Sequence, residues 1–130
     1  MGLLGIVLIA STVRLNGGRK PPQLAASCDT PALALSASTI RRGGPLLYTT
    51  VGPDQRVVIA IDAATVGADG TATPLAGHRE AQVVPPKSLA HCKVSGVLGV
   101  QVQPGEHVVG VFPATGGGPL TTQPLTVTER

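Results

Sequence analysis

Aromatic side chains are nearly missing from this chain: its 130 residues include one Tyr, one Phe and no Trp. Single-stranded nucleic acid and carbohydrate are held largely by stacking on aromatic faces, and Tyr48 and Phe112 alone make a poor platform. Charge is scarce as well: Asp, Glu, Lys and Arg make up 13% of the residues, about half the usual share. The formal net charge of +3 does not point to nucleic acid, because Arg14, Arg19 and Lys20 supply it. Without those three, seven of the ten basic residues remain against seven acidic ones. Catalytic signatures are also missing. No Gly-x-Ser-x-Gly elbow surrounds Ser27, Ser36, Ser38, Ser88 or Ser95, and the acidic residues are too scattered for a catalytic pair to show. Gly116-Gly117-Gly118 lacks the Lys and the following helix of a phosphate loop, so it reads as a flexible hairpin loop. The expectation is a protein that is not an enzyme and uses no cofactor.

What abounds is punctuation. Seventeen Gly and twelve Pro favour short strands and turns over long helices, and the length suits one domain once the N-terminal segment is set aside. From Ala32 on, short apolar runs alternate with turn signals, and no window of helical length carries a 3.6-residue stripe free of Gly or Pro. Strands are expected at Ala32 to Ala37, Leu46 to Val51, Arg56 to Asp62, Ala81 to Val84, Val94 to Gln103, His107 to Phe112 and Leu120 to Thr128. Leu33 and Leu35 share one face, as do Leu125 and Val127. Val57 to Ile61 is apolar at every position, which fits a central strand covered on both sides or one whose outer face meets a partner. The core is expected to hold Leu35, Leu47, Val57, Ile59, Ile61, Val100, Val102, Val109, Val111, Leu125 and Val127. Ala68-Asp69-Gly70-Thr71 signals a hairpin turn and Pro104-Gly105-Glu106 a tight turn. Arg41-Arg42-Gly43-Gly44-Pro45 reads as a solvated loop with a basic shoulder. Its two arginines, with Val58 and Ala60, are the candidate partner contacts.

Residues Gly2 to Val13 are uncharged and end at Arg14. At ~1.5 Å per residue the run spans about 20 Å, short of the ~30 Å hydrocarbon core. It also lacks the basic region that precedes the apolar part of a signal peptide. A natural start upstream of Met1 would account for both. The run LAASC, Leu24 to Cys28, has the look of a lipoprotein box, but Arg14, Arg19, Lys20, Pro21 and Pro22 separate it from the apolar stretch. Asn16 to Pro22 therefore reads as a spacer, flexible and then semi-rigid.

Cys28 and Cys92 could be free thiols, metal ligands or a disulfide. An apolar leader implies export to an oxidising compartment, and an even count in a small exported domain then selects the disulfide. The loop of about 65 residues sets a stabilisation of about 4 kcal/mol as an upper figure. Three histidines, His78, His91 and His107, show no ligand spacing such as His-x-His, and the expectation is exposed loop residues with no metal. Were a metal held, they would be the ligand candidates, with Asp62, Asp69 or Glu106 as the acidic partner. His91 stands out because it adjoins Cys92, though a Cys28–Cys92 bridge abolishes that site.

The run LALSASTIRRGG, Leu33 to Gly44, resembles the opening of bacterial immunoglobulin-like domains. GADGTAT resembles their mid-domain turn, PGEHVVGVF a penultimate hairpin strand and QPLTVTE the closing strand. The resemblance implies an all-β, immunoglobulin-like antiparallel β-sandwich of about seven strands over residues 28–130. A signal or anchor segment at 1–15 and a Gly/Pro-rich linker at 16–27 would precede it, in a composition similar to actinobacterial membrane-tethered envelope proteins. The chain departs from antibody-type domains in having no core Trp and no cysteine pair between two strands. A bridge here would staple the leader to the sandwich. The implied function is a membrane-anchored interaction module on the extracytoplasmic face, secreted if the leader is cleaved. It would be an accessory subunit meeting a protein partner at or in the membrane, with no nucleic acid. The alternatives are a small-ligand or copper/zinc carrier and a structural spacer of the envelope.

Overall fold

The computed structural model describes residues 21–129. The apolar run Gly2 to Val13, the 1–15 segment as a whole and the basic residues Arg14, Arg19 and Lys20 lie outside the described residues. Within them the chain has no helix and eleven strands: β1 (Ala32–Leu35), β2 (Thr39–Arg41), β3 (Pro45–Val51), β4 (Arg56–Ile61), β5 (Ala63–Val66), β6 (Ala72–Pro74), β7 (Gln82–Val83), β8 (Lys87–Ser88), β9 (Lys93–Gly99), β10 (Gly105–Pro113) and β11 (Thr121–Thr128). The class expected from the sequence, all-β, is the class observed.

A smaller antiparallel sheet has the order β9-β3-β1, and a larger one the order β2-β11-β10-β4-β7 with β8 also pairing β4. Every pairing is antiparallel except that of β2 with β11, which is parallel. Between Leu35 and Thr39 the chain crosses from the smaller sheet to the larger.

Side chains on a strand point alternately to its two faces, and the inward set fills the space between the sheets. Leu33, Leu46, Tyr48 and Leu98 come from the smaller sheet; Val57, Ile59, Ile61, Val109, Val111, Leu125 and Val127 come from the larger. Val109 lies opposite Ile61 and Val111 opposite Ile59, so branched side chains pair across the ladder. Each side chain fully removed from water in this way adds about 1.5–3 kcal/mol of hydrophobic free energy. Tyr48 lies over Gly96, its cross-strand neighbour, where a Cβ would come within 2.6 Å of the hydroxyl. That hydroxyl is buried without a hydrogen-bond partner, and burial raises its pKa above the ordinary tyrosine value.

All seven expected strands are present, with several differences. Val94 to Gln103 is strand only to Gly99, because Val100 leaves the ladder and exchanges hydrogen bonds with the turn at Gly43 and Gly44 (2.6 and 3.1 Å). Leu35 and Val102 are only partly buried, while the other nine expected core residues are buried. Strands β2, β5, β6 and β8 run two to four residues, too short for a two-residue period to register. The triple-glycine loop is pinned: Gly117 and Val66 exchange both backbone hydrogen bonds, at 3.0 and 3.1 Å.

Val58 and Ala60, expected as partner contacts, are not exposed in the folded chain. They lie on the outer face of the larger sheet, 2% and 0% exposed, and the chain's own β5–β6 hairpin covers them with Ala63 and Val66. Phe112 completes this second cluster and lies over Gly110, where a Cβ would come within 2.9 Å of the ring. Val57 to Ile61 is thus the central strand covered on both sides. The hairpin can double back directly after β4 because Asp62 adopts a left-handed conformation, φ 61°.

The leader meets the smaller sheet. Cys28 and Cys92 form a disulfide with Cα atoms 5.1 Å apart, and the Thr49 hydroxyl donates a 2.7 Å hydrogen bond to the Pro22 carbonyl. Residues Pro22 to Ser27, expected as linker, are therefore fixed to the sandwich at both ends, by Pro22 and by the adjoining Cys28.

Candidate functional site

Asp62 sits between β4 and β5 and is 1% exposed. A buried carboxylate is costly unless its oxygens are paired, and here both are. Oδ1 accepts from the Val108 backbone N–H at 3.1 Å. Oδ2 faces two imidazoles, His107 Nδ1 at 2.6 Å and His78 Nδ1 at 3.3 Å. The two rings lie 5.7 Å apart at 45°.

Each member is positioned by backbone. His107 is on β10, which pairs with β4 in the register Val109 to Ile61, and this brings the ends of the two strands together. The Asp62 N–H also donates to the Val108 carbonyl at 2.8 Å. His78 arrives through a turn: the Leu75 N–H donates to the Asp62 carbonyl at 2.8 Å, and the His78 N–H donates to the Leu75 carbonyl at 3.0 Å. Gly77, at φ 89°, completes that turn. Asp62 thus holds His78 through its main chain and meets it through its side chain.

The remaining nitrogen of His107, Nε2, lies 2.5 Å from the Gln103 carbonyl. A carbonyl only accepts, so Nε2 carries a hydrogen; the 2.6 Å contact of Nδ1 with Asp62 Oδ2 then holds a second hydrogen between the two atoms, which a cation bound there would displace to solvent. The three side chains line a cleft of about 660 Å³ together with the exposed Arg42, Arg79 and Glu80. Gln82 builds one side of it: its amide donates to the Gly99 carbonyl at 2.6 Å and accepts from the Gln101 N–H at 2.9 Å. That side chain ties the segment leaving β9 to β7. Among the described residues, the cleft lining contains no Ser, Thr or Cys. Two imidazoles and one carboxylate can instead hold a proton, or hold a cation among three converging donor atoms, all within 4.8 Å of one another.

The expectation of three exposed loop histidines is corrected on two counts. His107 is a buried strand residue and His78 is half-buried. His91 is exposed and lies apart from this cluster, and its neighbour Cys92 is taken up in the disulfide. Of the acidic residues set beside the histidines, Asp62 is the one that joins them. Asp69 caps its own turn by accepting from the Thr71 N–H at 2.9 Å, which lowers its carboxyl pKa, and Glu106 bonds Thr126. The signal for Asp62 lay in the pairing of β4 with β10, since no local spacing links residues 62, 78 and 107. Arg41 and Arg42 are exposed and, with Gly43, Gly44 and Glu129, line a second depression of about 500 Å³. The Arg42 Nε–H reaches the Gln101 carbonyl at 3.4 Å. No protein-family model matches the chain, and no curated protein matches it.

Proposed function

We propose that this chain is a non-enzymatic interaction module of immunoglobulin-like topology, tethered to a membrane on its extracytoplasmic face as an accessory subunit of a membrane or envelope complex. The observation that carries this reading is the fixed leader, with Cys28 bonded to Cys92 and the Pro22 carbonyl bonded to Thr49. A disulfide persists in oxidising compartments. A leader locked to the sandwich from Pro22 on fixes the point by which an upstream anchor would hold the domain and shortens the tether between them. A spacer running from Val13 to Pro22, as expected from the sequence, would reach at most about 28 Å at ~3.1 Å per residue, and less with Gly17 and Gly18 in it. The sandwich then stands close enough to the bilayer to touch the exposed part of a neighbouring membrane protein.

The immunoglobulin-like assignment rests on connectivity: the first strand divides between the sheets, and its second half pairs in parallel with the last strand. With Val58 and Ala60 covered, the partner contact falls to the exposed Arg41 and Arg42 corner. The experiment is a gentle-detergent pull-down of the full chain beside the Arg41→Ala/Arg42→Ala double variant. A defined membrane-protein partner is expected with the parent chain and a reduced yield with the variant; equal capture by both removes the assignment of the corner. Deletion of Met1 to Lys20 should release a soluble, folded monomer, and loss of the fold on deletion would sink the tether.

A further inference from the structure

We infer that Asp62, His78 and His107 form a binding site for a divalent transition-metal ion of the zinc or copper kind. This goes beyond the interaction module and does not depend on it.

The donor set comes first. Two imidazole nitrogens and one carboxylate oxygen suit Zn²⁺ and Cu²⁺, whereas Ca²⁺ and Mg²⁺ call for a shell of oxygens. Spacing comes second. Tetrahedral zinc with bonds of ~2.0–2.1 Å keeps its ligand atoms about 3.3–3.4 Å apart, and His78 Nδ1 lies 3.3 Å from Asp62 Oδ2. The His107 Nδ1 to Asp62 Oδ2 contact, at 2.6 Å, is a hydrogen bond that an ion replaces, opening it by about 0.7 Å.

The surroundings of the donors supply a further argument. A metal-binding histidine characteristically donates its other ring N–H to a carbonyl or carboxylate, which fixes its tautomer and orientation. His107 does this through Nε2 and the Gln103 carbonyl. The non-ligating oxygen of Asp62 is likewise held by the Val108 N–H. A structural clamp between β4 and β10 needs only Asp62 and His107. The second imidazole, delivered to the same oxygen from a separate turn and 30% exposed toward the cleft, is surplus to such a clamp and completes a three-donor site. Asp62 itself is held left-handed at φ 61°, a conformation that persists where surrounding structure over-determines it, often at ligand sites. The side open to the cleft leaves room for a fourth ligand, so the bound ion is exchangeable.

The test uses the full chain in mild detergent, disulfide intact and stripped with a chelator, titrated separately with Zn²⁺ and Cu²⁺ by calorimetry. One ion per chain is expected for at least one of the two. His78→Ala, at a half-exposed position, should weaken binding at least about tenfold with an unchanged circular dichroism spectrum, and His91→Ala should leave binding unaltered. Absence of saturable binding for both ions, a smaller loss with His78→Ala, or loss with His91→Ala would each overturn the site. Because replacing Asp62 or His107 risks the fold, the unsubstituted protein gives a second readout in its imidazole ¹⁵N resonances. Zn²⁺ should shift Nδ1 of His78 and His107 while Nε2 of His107 keeps its hydrogen; a response at His91 instead overturns the proposal.

Discussion

Two corners of the sandwich solve the same backbone problem by different means. Among the described residues, three non-glycine residues have positive φ: Asp62 at 61°, His91 at 57° and Cys92 at 63°. Such conformations cost an L-residue roughly 1–2 kcal/mol each, so each corner needs something to hold it. At the leader end that something is covalent, the Cys28–Cys92 bond, aided by Asp54 Oδ1 accepting from the Cys92 N–H at 2.6 Å. At the other end it is the side chain of Asp62, which bonds strand β10 and faces two imidazoles. A corner closed by a covalent bond keeps its geometry whatever ions surround it. A corner closed by ionisable donors lining an open cleft can exchange one of them for a ligand. The first corner is thus fixed, and the second is the one proposed to bind a ligand.

Glycine placed at each left-handed corner in turn separates the two most clearly. Asp62→Gly relieves the backbone but strips the carboxylate from its buried partners, and a loss of about 3–5 kcal/mol is expected, read by urea unfolding. A loss below about 1 kcal/mol would mean that the imidazoles do not depend on Asp62. Removing the disulfide with Cys28→Ala/Cys92→Ala comes next, at about 2–4 kcal/mol; the parent measured with and without reductant should show the same difference. His91→Gly should go the other way. The glycine relieves a left-handed residue with an exposed side chain, for a net gain of about 0.5–1 kcal/mol after its own entropic cost. A destabilised His91→Gly would show that His91 makes a contact of consequence and would blur the distinction between the corners.

The smallest effect separates a buried carboxylate from an exposed one. Asp69 has its pKa lowered, first by the hydrogen bond from the Thr71 N–H. Its contribution is therefore present above the unfolded carboxylate value and lost as pH falls through the folded one. Asp69→Asn should make the stability curve slightly flatter on its acid limb than the parent's. An acid limb of unchanged slope would remove that turn from the pH response.

The fold class was legible because alternation with period two survives in β1 and β11, and because Gly and Pro break the chain before any helical stripe can form. Legibility failed where two layers overlap. Val58 and Ala60 read as surplus apolar surface, and only the hairpin at Ala63 to Pro74, packing with Phe112 against them, makes them core. Leu35 and Val102 read as core and ended at its margin, since alternation assigns a face to a residue but not its distance from the sheet edge.

The histidines show the same limit at the candidate site. Adjacency in sequence singled out His91 beside Cys92, and export logic already implied that the cysteine would be consumed in a disulfide, as it is. Composition and spacing alone thus determined an all-β chain, its main strands and the Cys28–Cys92 pair, because these depend on local periodicity and on the number of cysteines. The meeting of Asp62 with His78 and His107 was decided by tertiary structure. It depends on the register of β4 against β10 and on one left-handed residue between two strands. Neither leaves a local pattern, because contacts between residues far apart in sequence are set by how strands pair.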